Sequence, residues 1–210
     1  MPKRIRKGLT PARIVEAACV IVDEKGVEGL SMRPLAKALG VAPMAIYNHF
    51  ADRDTLLSAV AEETLGNVAI PKRRGGWREQ IVSIVEGMRR LATKHPHLYA
   101  LAMTRPTKPS AGFALMSAAL AALRKAGLEE AEAVQWYHTI LMLLQGYPHW
   151  RSNMERYRNA RGRMMDAQNL PAETKADWRT VSSINADRQF KKSLDGLLDA
   201  IEIKRIGNQA

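Results

Sequence analysis

One cysteine, Cys19, stands among 210 residues, so no intrachain disulfide can form and a reducing, cytoplasmic setting is expected. Long apolar runs are missing too. Runs such as ALMSAALAAL at 114–123 and ILMLL at 140–144 fall far short of the ~20 residues a helix needs to cross a bilayer. Residues 1–8, MPKRIRKG, carry charge like the front of a signal peptide, yet no run of seven apolar residues and no small-residue cleavage site follows. The expectation is a soluble chain with no membrane association. No alternating β-branched run or hairpin signal is present, which argues against sheet. Also absent are G-x-S-x-G, a P-loop and a Gly-rich dinucleotide turn. His95, His97, His138 and His149 form no H-x-x-x-H pair and join no cysteines. No metal, no cofactor and no catalytic residue is therefore expected.

What remains is basic and helical. Lys and Arg number 32 against 21 Asp and Glu, a formal charge of +11 and a pI near 10.0. Such a surplus points to a polyanionic partner, nucleic acid or an acidic membrane surface, although a basic protein with neither stays open on charge alone. The length allows one large domain or two modest ones, with a substantial core.

Thr10 with Pro11 behind it reads as the start of a first helix, whose Ile14, Ala17, Ala18, Ile21 and Val22 form one apolar stripe. Ser31 caps a second helix with Leu35 and Leu39 inward, and Gly40 ends it in the left-handed geometry that suits glycine. Pro43 opens a third helix running to about Phe50, and Asp52 caps a fourth with Leu56, Leu57, Val60 and Leu65 inward. The stretch GNVAIPKRRGG at 66–76 is the best boundary candidate. Beyond it, helices are expected over 77–94, 96–104, 109–126, 129–147 and 187–204. The polar, Arg-rich stretch 151–185 reads as a long loop with at most a short helix. Its cluster Arg151, Arg156, Arg158, Arg161 and Arg163 suits a solvated loop better than a nucleic-acid contact.

Two helices around a Gly turn make a helix-turn-helix unit. Ala36 is small where the helices cross, and Val41 plugs the turn. Burying Ile46 and Phe50, four residues apart, leaves Pro43, Met44, Ala45, Tyr47, Asn48 and His49 facing outward. A short helix whose outer face is small and free of carboxylates can lie in a major groove without repelling phosphate.

Residues 9–60 resemble the DNA-binding domain of the tetracycline-repressor (TetR) family. The shared features are the glycine-bearing entry GVEGLS to helix 2, the LA-x-x-LGV turn, IYNHF and an acidic cap before an LL helix. A weaker resemblance to the C-terminal domain of tetracycline-repressor-type members runs through 77–147 and 190–202 in W-R, HP-x-L, TRPT, ALRKAGL and F-x-x-x-LDGLLDAIE. The resemblance implies an all-α homodimer. An N-terminal domain of about 1–55 would bind a palindromic operator in double-stranded DNA, helix 4 (about 52–70) would connect, and a domain over 71–210 would bind a small inducer and dimerise. It implies a repressor whose inducer pivots helix 4 to the wrong head spacing.

The resemblance also assigns roles, and Ser31 at the start of helix 2 counts among the DNA-facing residues. Arg33 matches a position that reaches guanine, with a solvated arginine the other reading. Pro43, Met44, Ala45 and Asn48 match base-facing positions, with packing against helix 2 an equal reading for Met44 and Ala45. Tyr47, His49 and Arg53 match phosphate-binding positions, with Tyr47 open to a half-buried core role. The basic tail, Lys3, Arg4, Arg6 and Lys7, would add minor-groove or counterion contacts. Met88, Leu91, Leu101, Met103, Phe113, Met116, Trp136, Tyr137, Met142 and Tyr147 sit on helices expected to surround an inducer cavity, though such stripes are more often plain core. Leu101 and Met142 stand where tetracycline-binding members carry histidines for drug and magnesium. That departure points to a lipophilic, metal-free ligand. The alternatives are an all-α small-molecule binder or enzyme that never touches DNA, and a protein that coats DNA without sequence preference.

Overall fold

A computed structural model describes residues 8–71, 75–105, 111–166 and 171–207, the side chains of 160–166 excepted. The tail 1–7, the cations at 72–74 and the side chains of Arg161 and Arg163 lie outside the described residues. Among the described residues every regular element is a helix: α1 (Pro11–Lys25), a short 3-10 turn (Val27–Gly29), α2 (Met32–Leu39), α3 (Pro43–Tyr47), α4 (Arg53–Gly66), α5 (Trp77–Lys94), α6 (Pro96–Thr104), α7 (Ala111–Lys125), α8 (Glu130–Asp166), α9 (Ala172–Ser183) and α10 (Ala186–Gly207). Contacts divide the chain into two compact units, one within 1–74 and 82–118, the other within 75–81 and 119–210.

In the first unit, α1 starts where Thr10 accepts a hydrogen bond from the Arg13 amide at 3.3 Å, with Pro11 in the first turn. Ile14, Val15, Ala18 and Val22 are buried along one side of it. Helix α2 buries Met32, Leu35 and Ala36, whereas Leu39 is only half-buried. It stops at Gly40, whose φ of 68° and ψ of 34° are left-handed, a conformation that glycine adopts without a side-chain penalty. Helix α3 ends sooner than its sequence suggests, at Tyr47. The following turn still carries Phe50 inward through its amide bond to the Ile46 carbonyl at 3.0 Å. Asp52 caps α4 by accepting from the Thr55 amide at 2.7 Å, and that bond holds its carboxyl below the ordinary range. Leu56, Leu57, Val60, Ala61 and Leu65 then enter the core.

Ser31 occupies the cap position of α2 with extended backbone but makes no capping bond. Two substitutions should therefore part company in urea unfolding. Thr10→Ala is expected to cost about 0.5–2 kcal/mol, while Ser31→Ala is expected to stay within about 0.5 kcal/mol. Equal losses would show that Ser31 caps after all.

The second unit is built on α8 and α10, which share a core of Ile140, Leu144 and Tyr147 with Phe190, Leu194, Leu198 and Ile201, all buried. The last four recur at spacings of four, four and three, one stripe of a helix. The stretch 151–166, expected as loop, is helix, and 172–183 is a second helix against it. Pro148 supplies no N–H to the ladder, yet α8 runs on through it. Good helix formers (Arg, Met, Glu, Ala) carry the extension, and α9 packs along it. Met154 is buried, and the rings of Tyr157 and Trp178 meet edge-on at 5.2 Å. Arg151 pairs with Glu155 one turn on at 3.4 Å, so that cluster rides a helix rather than a loop.

Candidate nucleic-acid interface

The surface formed by α2, α3 and the turn between them is built from the inside out. Ile46 is fully buried, Phe50 nearly so, and Leu35 and Ala36 complete the contact beneath them. With those positions spent inward, the helical period turns the rest outward. Ser31, Arg33, Pro43, Met44, Tyr47, Asn48 and His49 are exposed, with Met44 at 71% and Tyr47 at 44%, while Ala45 is half-buried. Tyr47 is thus a surface residue rather than a core one. Neither α2 nor α3 contains a carboxylate. Lys37, four residues after Arg33, adds a second exposed cation to α2. Sequence reasoning passed over it, although the i,i+4 spacing carries the signal. A neutral outer face flanked by cations suits an approach to base edges between two phosphate rows.

Arg53 is placed differently. Its Nε donates to the Leu30 carbonyl at 2.8 Å and its Nη2 to the Val27 carbonyl at 2.5 Å, so the fork expected at phosphate is engaged with protein backbone. Its neighbour Asp54 accepts from Arg105 Nη2 at 2.6 Å, and that hydrogen bond holds the Asp54 carboxyl below the usual range. Further along α4, Glu62 accepts from the Ala111 amide at the start of α7. These polar ties join residues far apart in the chain and have no local sequence signature.

The expected inducer residues fall in both units. Met88, Leu101, Met103, Phe113 and Met116 belong to the first unit, and Trp136, Tyr137, Met142 and Tyr147 to the second. Met88, Leu101 and Tyr147 are buried, and Leu91, Met103, Met116, Trp136 and Tyr137 half-buried. Phe113 and Met142 instead face solvent, at 51% and 65% exposure, because hydrophobic identity alone does not say which face of a helix is covered. Met142 and Tyr147 line a groove of about 300 Å³ along α8 and α10, with Leu143, Gly146, Trp150, Gln189, Phe190 and Ser193. Tyr147 and Phe190 meet at 4.7 Å there, and the Tyr147 hydroxyl donates to Asp187. Burial raises the Tyr137 phenol above its ordinary pKa.

His95 and His97 both engage Asp23, at its carboxylate (2.7 Å) and its carbonyl (2.9 Å). Among the described residues no group of three metal-ligating side chains converges, and no helix is long and apolar enough to cross a membrane.

Comparison with known proteins agrees with this geometry. Residues 14–60 match the sequence model of the bacterial regulatory proteins of the tetR family. Residues 71–205, well over half the chain, match the tetracyclin repressor-like C-terminal domain. The chain belongs to the TetR family. As a TetR-family protein it is an all-α, helix-turn-helix transcriptional regulator. A transcriptional regulator from Saccharopolyspora erythraea is 34% identical over 132 residues, which span 62% of this chain and 56% of that protein. The class A tetracycline repressor from Escherichia coli is 27% identical over 94% of this chain and 93% of its own length. The structure of ActR from Streptomyces coelicolor, in complex with actinorhodin, superposes with a TM-score of 0.75 at 26% identity, covering 94% of this chain and 99% of that one.

Proposed function

We propose that this TetR-family regulator is a repressor that binds a palindromic operator as a homodimer and leaves it when a small lipophilic inducer binds. The observation that carries the DNA half is the exposed, carboxylate-free face of α2 and α3, with Arg33, Met44, Ala45 and Asn48 toward base edges and Tyr47 and His49 toward phosphate. Its working division is a DNA-binding domain of about residues 1–55, joined by α4 to a ligand-binding and dimerisation domain over 71–210. Dimerisation is supported by the apolar groove along α8 and α10, where Met142 is exposed and a Cβ on Gly146 would meet nothing within 4 Å among the described residues. The inducer class is supported by ActR, whose structure is a complex with actinorhodin, and by Leu101, which offers no ligand to magnesium.

Selection from a random duplex library at about 150 mM salt, where exposed charges more than roughly 8 Å apart are largely screened, tests the DNA half. One inverted repeat should emerge, with half-sites about one or more helical turns apart. Recovery of every sequence alike would sink the operator reading in favour of charge-driven coating, and recovery of none would favour a small-molecule binder that never touches DNA.

A further inference from the structure

The first turn of α4 is gripped from two sides by consecutive residues. Arg53 reaches the carbonyls of Val27 and Leu30, which bracket the 3-10 turn leading into α2. Asp54 is reached from the other side by Arg105, the residue that closes α6. The guanidinium donates to the Asp54 carboxylate at 2.6 Å and to its carbonyl at 3.2 Å. Successive side chains on a helix diverge by about 100°, so one turn of backbone holds both partners at once. Leu56 and Leu57, fully buried just behind, fix that turn in the core.

We propose that Arg53 is a positioning residue for DNA recognition: it sets the start of α2 through the carbonyls of Val27 and Leu30 rather than by binding phosphate, and Asp54 with Arg105 ties the same turn to α6. The inference rests on the DNA-binding reading above. Leu30 precedes the Ser31 cap, and Arg33 follows two residues later in the first turn of α2. A guanidinium that reads a guanine edge tolerates displacements of only about 0.5 Å, so the carbonyl strut at Leu30 and the contact three residues beyond it are mechanically linked. The planar fork of arginine fits two carbonyls at once, which the point charge of lysine does not. Arg33 and Lys37, by contrast, are exposed and make no side-chain bond among the described residues, which leaves them available to DNA.

The test compares wild type, Arg53→Lys, Arg53→Gln and Asp54→Asn on two duplexes, the selected inverted repeat and an unrelated sequence of the same length. Each is titrated from about 50 to 300 mM salt, where the slope of log K against log salt counts phosphate contacts at roughly 0.9 each. Both Arg53 variants are expected to bind the repeat about tenfold more weakly, with an unchanged slope and unchanged binding to the unrelated duplex. Asp54→Asn, which leaves Arg53 and every cation in place, is expected to weaken the repeat a few-fold at the same slope. A phosphate contact predicts otherwise: Arg53→Lys near wild type, and Arg53→Gln with a shallower slope on both duplexes. That result overturns the proposal. So does a loss on both duplexes that tracks the unfolded fraction in a thermal scan, since it marks a fold defect alone. Should Arg53→Gln fail to fold, Arg53→Lys decides. Asp54→Asn at wild-type affinity overturns the tie to α6. A wild type that binds both duplexes alike overturns the DNA reading itself, and the Arg53 role falls with it.

Discussion

Arg33→Ala is expected to weaken binding to the selected repeat by about 5- to 150-fold per half-site, the loss of one arginine–guanine contact worth about 1–3 kcal/mol. Because a dimer would carry two such contacts, the full effect compounds, and it should come with a relaxed base preference at one position of each half-site. Arg33 is exposed in the first turn of α2 and supports no part of the core, so the variant should keep its unfolding midpoint. Lys37→Ala provides the contrast. Loss of a cation over phosphate weakens binding to all sequences alike and lowers the salt slope by about 1 per contact, with no change in preference. Repeating the selection with Arg33→Ala reads the difference directly. If the same bases are recovered at the same strength, Arg33 is a solvated side chain and readout belongs to α3 alone.

The helix-turn-helix was legible because several local signals agreed at each boundary. Thr10 with Pro11, Gly40 and Asp52 each adopt the cap or turn geometry that residue type favours, since caps are decided by neighbours within four residues. The burial of Ile46 and Phe50 followed from their spacing. Where cues conflicted, the reading failed. The polar, Arg-rich composition of 151–185 suggested an end at 147, but α8 continues through Pro148 to Asp166. There the backbone ladder and the packing of α9 outweigh one missing N–H. Amphipathic period, the main cue in the sequence, is weak in a helix whose outer sides are mostly solvated.

The site residues divide along the same line. Outward orientation on α3 could be read from period alone, whereas the destination of a long side chain could not. Arg53 lies 23 and 26 residues from the carbonyls it binds, Asp54 51 from Arg105, and Glu62 49 from the Ala111 amide. A cation at the start of a helix looks the same in sequence whether it points to phosphate or to a carbonyl. Phe113 and Met142 illustrate the converse, because apolar side chains can face outward, and Met142 does so on the apolar surface of the groove along α8 and α10.

The largest effect is expected where that surface lies on α8. Gly146 sits mid-helix, and a Cβ placed there would meet nothing within 4 Å among the described residues. Gly146→Arg should therefore leave the protomer intact and even favour the helix, since glycine costs up to about 1 kcal/mol relative to good helix formers. If a second copy docks along α8 and α10, however, the long cation intrudes between two apolar faces, where its desolvation is costly. Sedimentation is expected to show a monomer. Affinity for the inverted repeat should fall by about 10²–10⁴, because a lone protomer engages one half-site and forfeits the effective concentration of its twin. Binding to an isolated half-site should not change, which separates lost pairing from a damaged recognition surface. Met142→Glu, on the same exposed side of the groove, should act in the same direction. A Gly146→Arg protein that remains dimeric and holds the repeat at wild-type strength would place the dimer contact elsewhere, and the groove along α8 and α10 would then need another occupant.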